Sequence, residues 1–182
     1  LARRDGALSD HESWWRSQLG GHVDRPSLDE LDPSRPLTVA TIDTSADPAT
    51  VAGALAIVLA ARSDDDSARI SVSDPATDDT LRTLAPLVSP PEVCILVDPD
   101  RSLSTLVGDV DECLRLALEH GPFLTDLIDR DPELRGRTRP PVAHLLIGGD
   151  IDDRTDRAIV VAIGDDRIQI GGRGDDERGM QA

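Results

Sequence analysis

Tyrosine and lysine are absent from this sequence, phenylalanine and methionine each occur once, and there are only two tryptophans and two cysteines. With so few rings available, a core has to be built from Val, Leu, Ile and Ala. The missing lysine leaves nineteen arginines as the whole basic complement against thirty-five Asp and Glu, a formal charge of −16. That balance excludes a nucleic-acid surface, which needs a basic stripe, and it keeps an acidic exterior well solvated. Two cysteines, Cys94 in an apolar run and Cys113 in a helical one, make neither a disulfide framework nor a metal site. They read as buried thiols in a reducing cell. No two of His11, His22, His120 and His144 stand at ligand spacing on one element, which argues against a bound metal. No run approaches the roughly 20 apolar residues of a membrane span and no leader pattern is visible, so the expectation is a cytoplasmic protein without a membrane partner. At 182 residues the chain suits one domain or one lobe of a larger one. Its first residue is Leu rather than Met, and a piece of a longer polypeptide is expected.

What is present is organised around residues 102–128. Ser102 is placed to cap a helix. Behind it Leu103, Leu106, Val107, Val110, Leu114, Ala117 and Leu118 recur at three and four residues, one helical face, while Asp109, Asp111, Glu112, Arg115 and Glu119 fall on the other. Such a rod is about 26 Å long, enough to cross a sheet. Gly121-Pro122 ends it, and Phe123, Leu124, Leu127 and Ile128 suggest a second apolar turn.

Around this helix the chain alternates strands and helices. Ser9-Asp10 is a candidate cap for a short helix carrying Trp14, Trp15 and Leu19 and ending at Gly20-Gly21. Adjacent tryptophans cannot face one way, so one should dock on the core and the other on a neighbour. Residues 22–36 have the composition of a linker. Leu37 to Ile42 alternates like a half-buried strand. Asp47-Pro48 opens a helix whose buried stripe is expected at Val51, Leu55, Val58 and Leu59. An acidic turn at Ser63 to Ser67 precedes a short strand at Ile70 to Val72, a turn at Asp74-Pro75 and a helix from Asp78 to Leu84. Glu92 to Val97, apolar without alternation, predicts a central strand covered on both faces. After a charged loop from Asp129 to Pro141, strands are expected at Val142 to Ile147 and Ala158 to Ile163. Arg167 to Ile170 should pair with the second of these through a Gly164-Asp165 turn. Residues 171–182 read as a flexible tail. The pattern predicts an α/β two-layer sandwich, a mixed β-sheet covered by helices.

Several short stretches, in order, resemble one family. "Ser13-Trp14-Trp15-Arg16-Ser17-Gln18-Leu19-Gly20" is similar to the Tyr-Trp-Arg-x-x-Leu-x-Gly segment of condensation domains in nonribosomal peptide synthetases. "Val51-Ala52-Gly53-Ala54-Leu55-Ala56-Ile57-Val58-Leu59" resembles their Leu/Ala-rich helix, with Asp64-Asp65-Asp66 where a Gln-Asp-Asp turn follows. "Glu119-His120-Gly121-Pro122-Phe123" is similar to a His-Gln-Asp-x-Pro-Phe-Glu ending, and "Arg137-Thr138-Arg139-Pro140-Pro141-Val142" to Ser-Arg-Asn-Pro-Leu-Phe. The resemblance covers roughly residues 9–170. It implies the C-terminal lobe of a chloramphenicol-acetyltransferase-like pair over residues 1–170, in the CoA-dependent acyltransferase superfamily, with two lobes forming a V around a tunnel.

The resemblance also implies the chemistry: an acceptor amine attacks a carrier-bound thioester and an amide forms. No cofactor of the lobe's own is implied, since substrates would arrive on the phosphopantetheine of acyl or peptidyl carrier proteins. The implied partners are those carriers and an N-terminal condensation lobe. The family's catalytic imidazole lies in a His-His-x-x-x-Asp-Gly motif that this sequence lacks, so no catalytic, cofactor-binding or metal residue is expected here. Other signature positions depart as well. Asp79 stands where an arginine bracing the other lobe is expected, "Leu87-Val88-Ser89-Pro90-Pro91" replaces a Gly-x-Phe-Val-Asn-Thr stretch, and Leu124 replaces a glutamate. A degenerate, non-catalytic module that binds carriers or a partner enzyme is therefore the alternative, and an ester-forming relative a weaker third. His120 is expected to be a helix-terminal histidine favoured by the dipole. His144 is expected as a satisfied core or tunnel-lining side chain, and Trp14 and Trp15 as packing residues.

Overall fold

A computed structural model describes residues 2–20, 37–63, 66–84, 86–134, 141–151 and 158–173, with side chains from His11 onward. Helix α1 spans Ala2–Gly20, strand β1 Thr38–Ile42, helix α2 Pro48–Ser63 and strand β2 Ser67–Ser73. Helix α3 (Pro75–Leu84), the two-residue β3 (Val88–Ser89) and β4 (Glu92–Leu96) follow. Then come α4 (Leu103–His120), β5 (Phe123–Leu124), α5 (Asp126–Arg130), β6 (Ala143–Ile147), β7 (Ile159–Ile163) and β8 (Ile168–Gly172). Six strands form one mixed sheet in the order β1-β8-β7-β6-β2-β4, with β2, β6 and β7 parallel and the other pairs antiparallel. β3 and β5 pair separately. This is the α/β two-layer sandwich expected from the pattern.

The organising helix forms where its period places it. Ser102 Oγ accepts the Thr105 N–H at 3.2 Å, and Gly121, at φ +67°, returns its N–H to Ala117 O at 2.9 Å. Leu106, Val110, Leu114 and Ala117 are buried. Leu103, the first residue of the helix, is exposed instead. α2 and α4 pack against each other and against β2 and β4. The register aligns Val93, Ile70, Ala143 and Ile159 along one row on the sheet face that enters this core.

Other expectations are corrected. α1 runs without a break through Ser9-Asp10, so no cap forms there. Helix-favouring Arg, Ala and Leu outnumber the lone Gly6 in the stretch before it. The buried face of α2 is Ala49, Ala52, Gly53, Ala56, Leu59 and Ala60, while Val51 and Leu55 are half-buried and Val58 is exposed. Small side chains line the face that packs on α4, where a Cβ on Gly53 would meet Leu106 at an ordinary 3.9 Å. β1 is exposed along its whole length rather than half-buried, since it is a sheet edge. β4 ends the sheet on the other side, so it is an edge strand and not a central one. Val93 and Ile95 are buried on the side packed by α4, while Leu96 is exposed. β2 is longer than Ile70–Val72. α3 starts at Pro75, where Asp74 Oδ1 accepts the Thr77 N–H at 2.7 Å. Phe123 and Leu124 form a strand before the short helix α5, and β8 extends two residues into the stretch read as tail. The 22–36 linker, Asp64-Asp65, the 137–140 stretch and residues 174–182 lie outside the described residues.

Candidate functional site

The alternation of β2 sends Ile70 and Val72 to the helix-covered face and Ser71 and Ser73 to the other. On the parallel neighbour β6, His144 pairs in register with Ser71. Three polar side chains thus meet on the face away from α2 and α4, all buried. Ser71 Oγ donates to Ala143 O at 3.1 Å and lies 2.7 Å from His144 Nδ1, while Ser73 Oγ lies 3.0 Å from Nε2. A hydroxyl has one proton. Since that of Ser71 goes to the carbonyl, Nδ1–H must donate to Ser71 Oγ, and Nε2 has the Ser73 hydroxyl as its partner. One strand over, Glu92 stands opposite Ser71 and makes an ion pair with Arg69, both almost wholly buried.

A serine hydroxyl on an imidazole nitrogen is the arrangement of an activated nucleophile. Burial decides against that use. Ser73 is 1% exposed and Ser71 fully buried, so no electrophile reaches either oxygen in this conformation. The His144 cluster is a polar clasp across β2 and β6, matching the expectation of a satisfied histidine. Its two serines were legible in the sequence only as part of the polar alternation Ser67, Arg69, Ser71, Ser73 along β2.

The second candidate is a cleft of about 460 Å3 at the carboxyl ends of β6 and β7, beneath the start of α2. Ser45, Asp47, Ile147, Gly148, Ile163 and Asp165 are among its lining residues. Crevices at strand ends are where open α/β sheets take ligands. Here Asp47 Oδ2 already caps the helix, accepting the Thr50 N–H at 3.0 Å. Gly148, at φ +74°, lies beside Pro75, whose Cγ would be 3.6 Å from an added Cβ. The lining holds no histidine, cysteine or basic side chain, and so no acid–base pair.

The third is the seam where α1 meets the end of α4. Trp15 is buried against Phe123, ring centroids 4.9 Å apart, and Trp14 stacks on His120 at 4.0 Å with 9° between planes. The tryptophans therefore face different neighbours, as their adjacency requires. His11 Nδ1–H donates to His120 O at 3.0 Å, satisfying a carbonyl left over at the helix end. His120 does terminate the helix, but burial, with the nearby His11, lowers its pKa, and Glu119 only partly opposes this. The favourable dipole is outweighed.

Asp79 lies exposed on α3 and Leu124 exposed on β5. Cys94 and Cys113 are unoxidised and half-buried, and burial raises the Cys113 thiol. Among the described residues no group of three His, Cys, Asp or Glu could hold a metal, and no helix is long and apolar enough to cross a membrane.

Solved structures of condensation-type domains are similar to this chain in fold. The X-domain in the complex of the X-domain and OxyB from teicoplanin biosynthesis superposes with a TM-score of 0.61 at 18% identity, covering 92% of this chain and 48% of that one. A starter condensation domain of rhizomide synthetase, in complex with C8-CoA, gives 0.63 at 10% identity, covering 92% and 46%. The first condensation domain of the CDA synthetase gives 0.54 at 15% identity, covering 92% and 44%. The chain thus spans a little under half the length of these neighbours, and at such identities the likeness is one of fold. No protein-family model matches the sequence, and no curated protein does.

Proposed function

We propose that this chain is the C-terminal lobe of a condensation-type domain and forms one wall of the tunnel in which an acceptor amine attacks a carrier-bound thioester. One observation carries the reading. The fold matches about half of each condensation-type neighbour, while the one buried imidazole on its sheet is committed at both nitrogens to serines of the same sheet. A lobe so built offers shape and surface. The imidazole that handles the amine proton comes from an N-terminal lobe, and the substrates come on the phosphopantetheine arms of carrier proteins.

The test is amide formation between a donor and an acceptor carrier, followed by mass spectrometry. The isolated chain should yield no product. The parent polypeptide should yield product, and should lose it on exchange of the upstream histidine. His120→Ala in the same parent should change the rate by less than about tenfold, short of the 10²–10⁴ that removing a general base typically costs. Product from the isolated chain would overturn the assignment.

A second reading is a degenerate module that recruits carriers or a partner enzyme without chemistry. It is favoured by Asp79, an exposed carboxylate where the resembling family keeps an arginine, and by Leu84, Leu87 and Leu124, exposed around the β3–β5 pair. An X-domain, itself condensation-like in fold, appears in complex with OxyB. Under this reading the parent polypeptide makes no amide with any carrier pair yet still binds one of them or a partner enzyme.

A further inference from the structure

The seam between α1 and the end of α4 concentrates features that the proposed function does not use. Two imidazoles lie with ring centroids 5.0 Å apart, edge to face. His120 Nδ1 and Trp15 Nε1 are both buried without a hydrogen-bond partner. A bare, neutral ring nitrogen can sit in such a place. A protonated one cannot sit there easily, because it would bury a charged N–H with no acceptor. Among the described residues, the Trp14 plane and the His11 ring, both of α1, lie against His120.

We propose that this seam is a proton-sensitive clasp: α1 stays closed on α4 while His120 is neutral, and acidification loosens the turn that carries His11 and Trp14. The surrounding charges are accounted for. On α4, Glu119 favours the charged imidazole but is engaged by Arg115 at 2.8 Å. From α1, Glu12 pairs with Arg130 of α5 at 3.1 Å, and Arg16 with Asp131 at 3.0 Å. β5 contributes only Phe123 and Leu124. His11 faces His120 from α1, its Nδ1–H held by the His120 carbonyl at 3.0 Å. Stacking of an imidazolium on Trp14 is attractive, yet it cannot supply the missing acceptor at Nδ1.

The sign follows from linkage. The depressed pKa of His120 means that closure is fully favoured above its ordinary value of 6.5 and weakens as pH falls below it. Trp15 and Leu19 remain buried in the core, so the strands should not melt with the clasp.

Trp14 and Trp15 are the only indoles in the chain, so tryptophan emission reports the seam alone. Acrylamide quenching of that emission and far-ultraviolet circular dichroism would be followed together on the 182-residue chain from pH 7.5 to 5.0 at fixed ionic strength. Quenching should rise as pH drops below 6.5 while the dichroism stays constant. His120→Phe, which keeps a ring under Trp14 but cannot titrate, should flatten the quenching profile. His120→Gln serves the same purpose if the phenylalanine variant does not fold. A wild-type profile without pH dependence, or one unchanged in either variant, overturns the proposal.

Discussion

At the scale of single residues, the buried polar clasp and the half-buried thiol make separable predictions. Ser73→Ala removes the hydroxyl 3.0 Å from His144 Nε2 and should cost about 1–3 kcal/mol in denaturant unfolding, the penalty for leaving a buried polar group without its partner. If Ser73 were instead a nucleophile, the substitution would leave stability almost unchanged and abolish an activity. Cys113 sits among Asp109 and Glu112, and burial, with these carboxylates, raises its thiol above 9.0. Its protonated form is the one the fold favours, so this contribution to stability is present below pH 9 and fades as pH climbs through the raised value. Alkylation by iodoacetamide near pH 8 should be slower at Cys113 in the native chain than in urea, since the thiolate is the nucleophile. Equal rates would show that burial does not protect it.

At the scale of elements, α2 and α4 carry the core. Gly53 faces α4, and an added methyl would rest 3.9 Å from Leu106, ordinary contact distance. Gly53→Ala should therefore stabilise the protein by about 0.5–1 kcal/mol through helix propensity, whereas Gly53→Leu should destabilise it by wedging the helices apart. Thermal melts of the two variants, shifted in opposite directions, check this. Ser102→Ala removes the α4 cap and should cost about 0.5–2 kcal/mol. The same pair of helices shows how far the sequence could be read. α4 was legible from cap to terminating glycine because its period, cap and stop all agree. The buried face of α2 was not, because a stripe search weights Val and Leu, while small Ala and Gly line the face that packs on α4. Edge and centre were confused for β4, since an uninterrupted apolar run looks alike whether a second strand or a helix covers it. The Ser71–His144–Ser73 cluster escaped notice because its members lie on two strands about seventy residues apart, joined only by parallel register.

At the scale of the whole molecule, the fold is similar to about half of each condensation-type neighbour, and the described residues bring together no accessible acid–base pair. Among the described residues, surface ion pairs include Arg167 with Asp150 at 2.9 Å and Arg115 between Glu112 and Glu119. A net charge of −16 gives the lobe a strong negative field, which favours encounter with basic rather than acidic surfaces and should weaken with added salt. The departures at Asp79 and Leu124 touch the exterior and leave the packed layer intact.

The most direct measurement is single-turnover amide formation by the parent polypeptide carrying His144→Gln, a side chain able to keep hydrogen bonds to both serines. If this lobe is scaffold only, the rate stays within about tenfold of wild type, far from the 10²–10⁴-fold loss that follows removal of a general base. A loss of that size, with the melting temperature unchanged, would place the reacting imidazole inside this lobe and contradict the account.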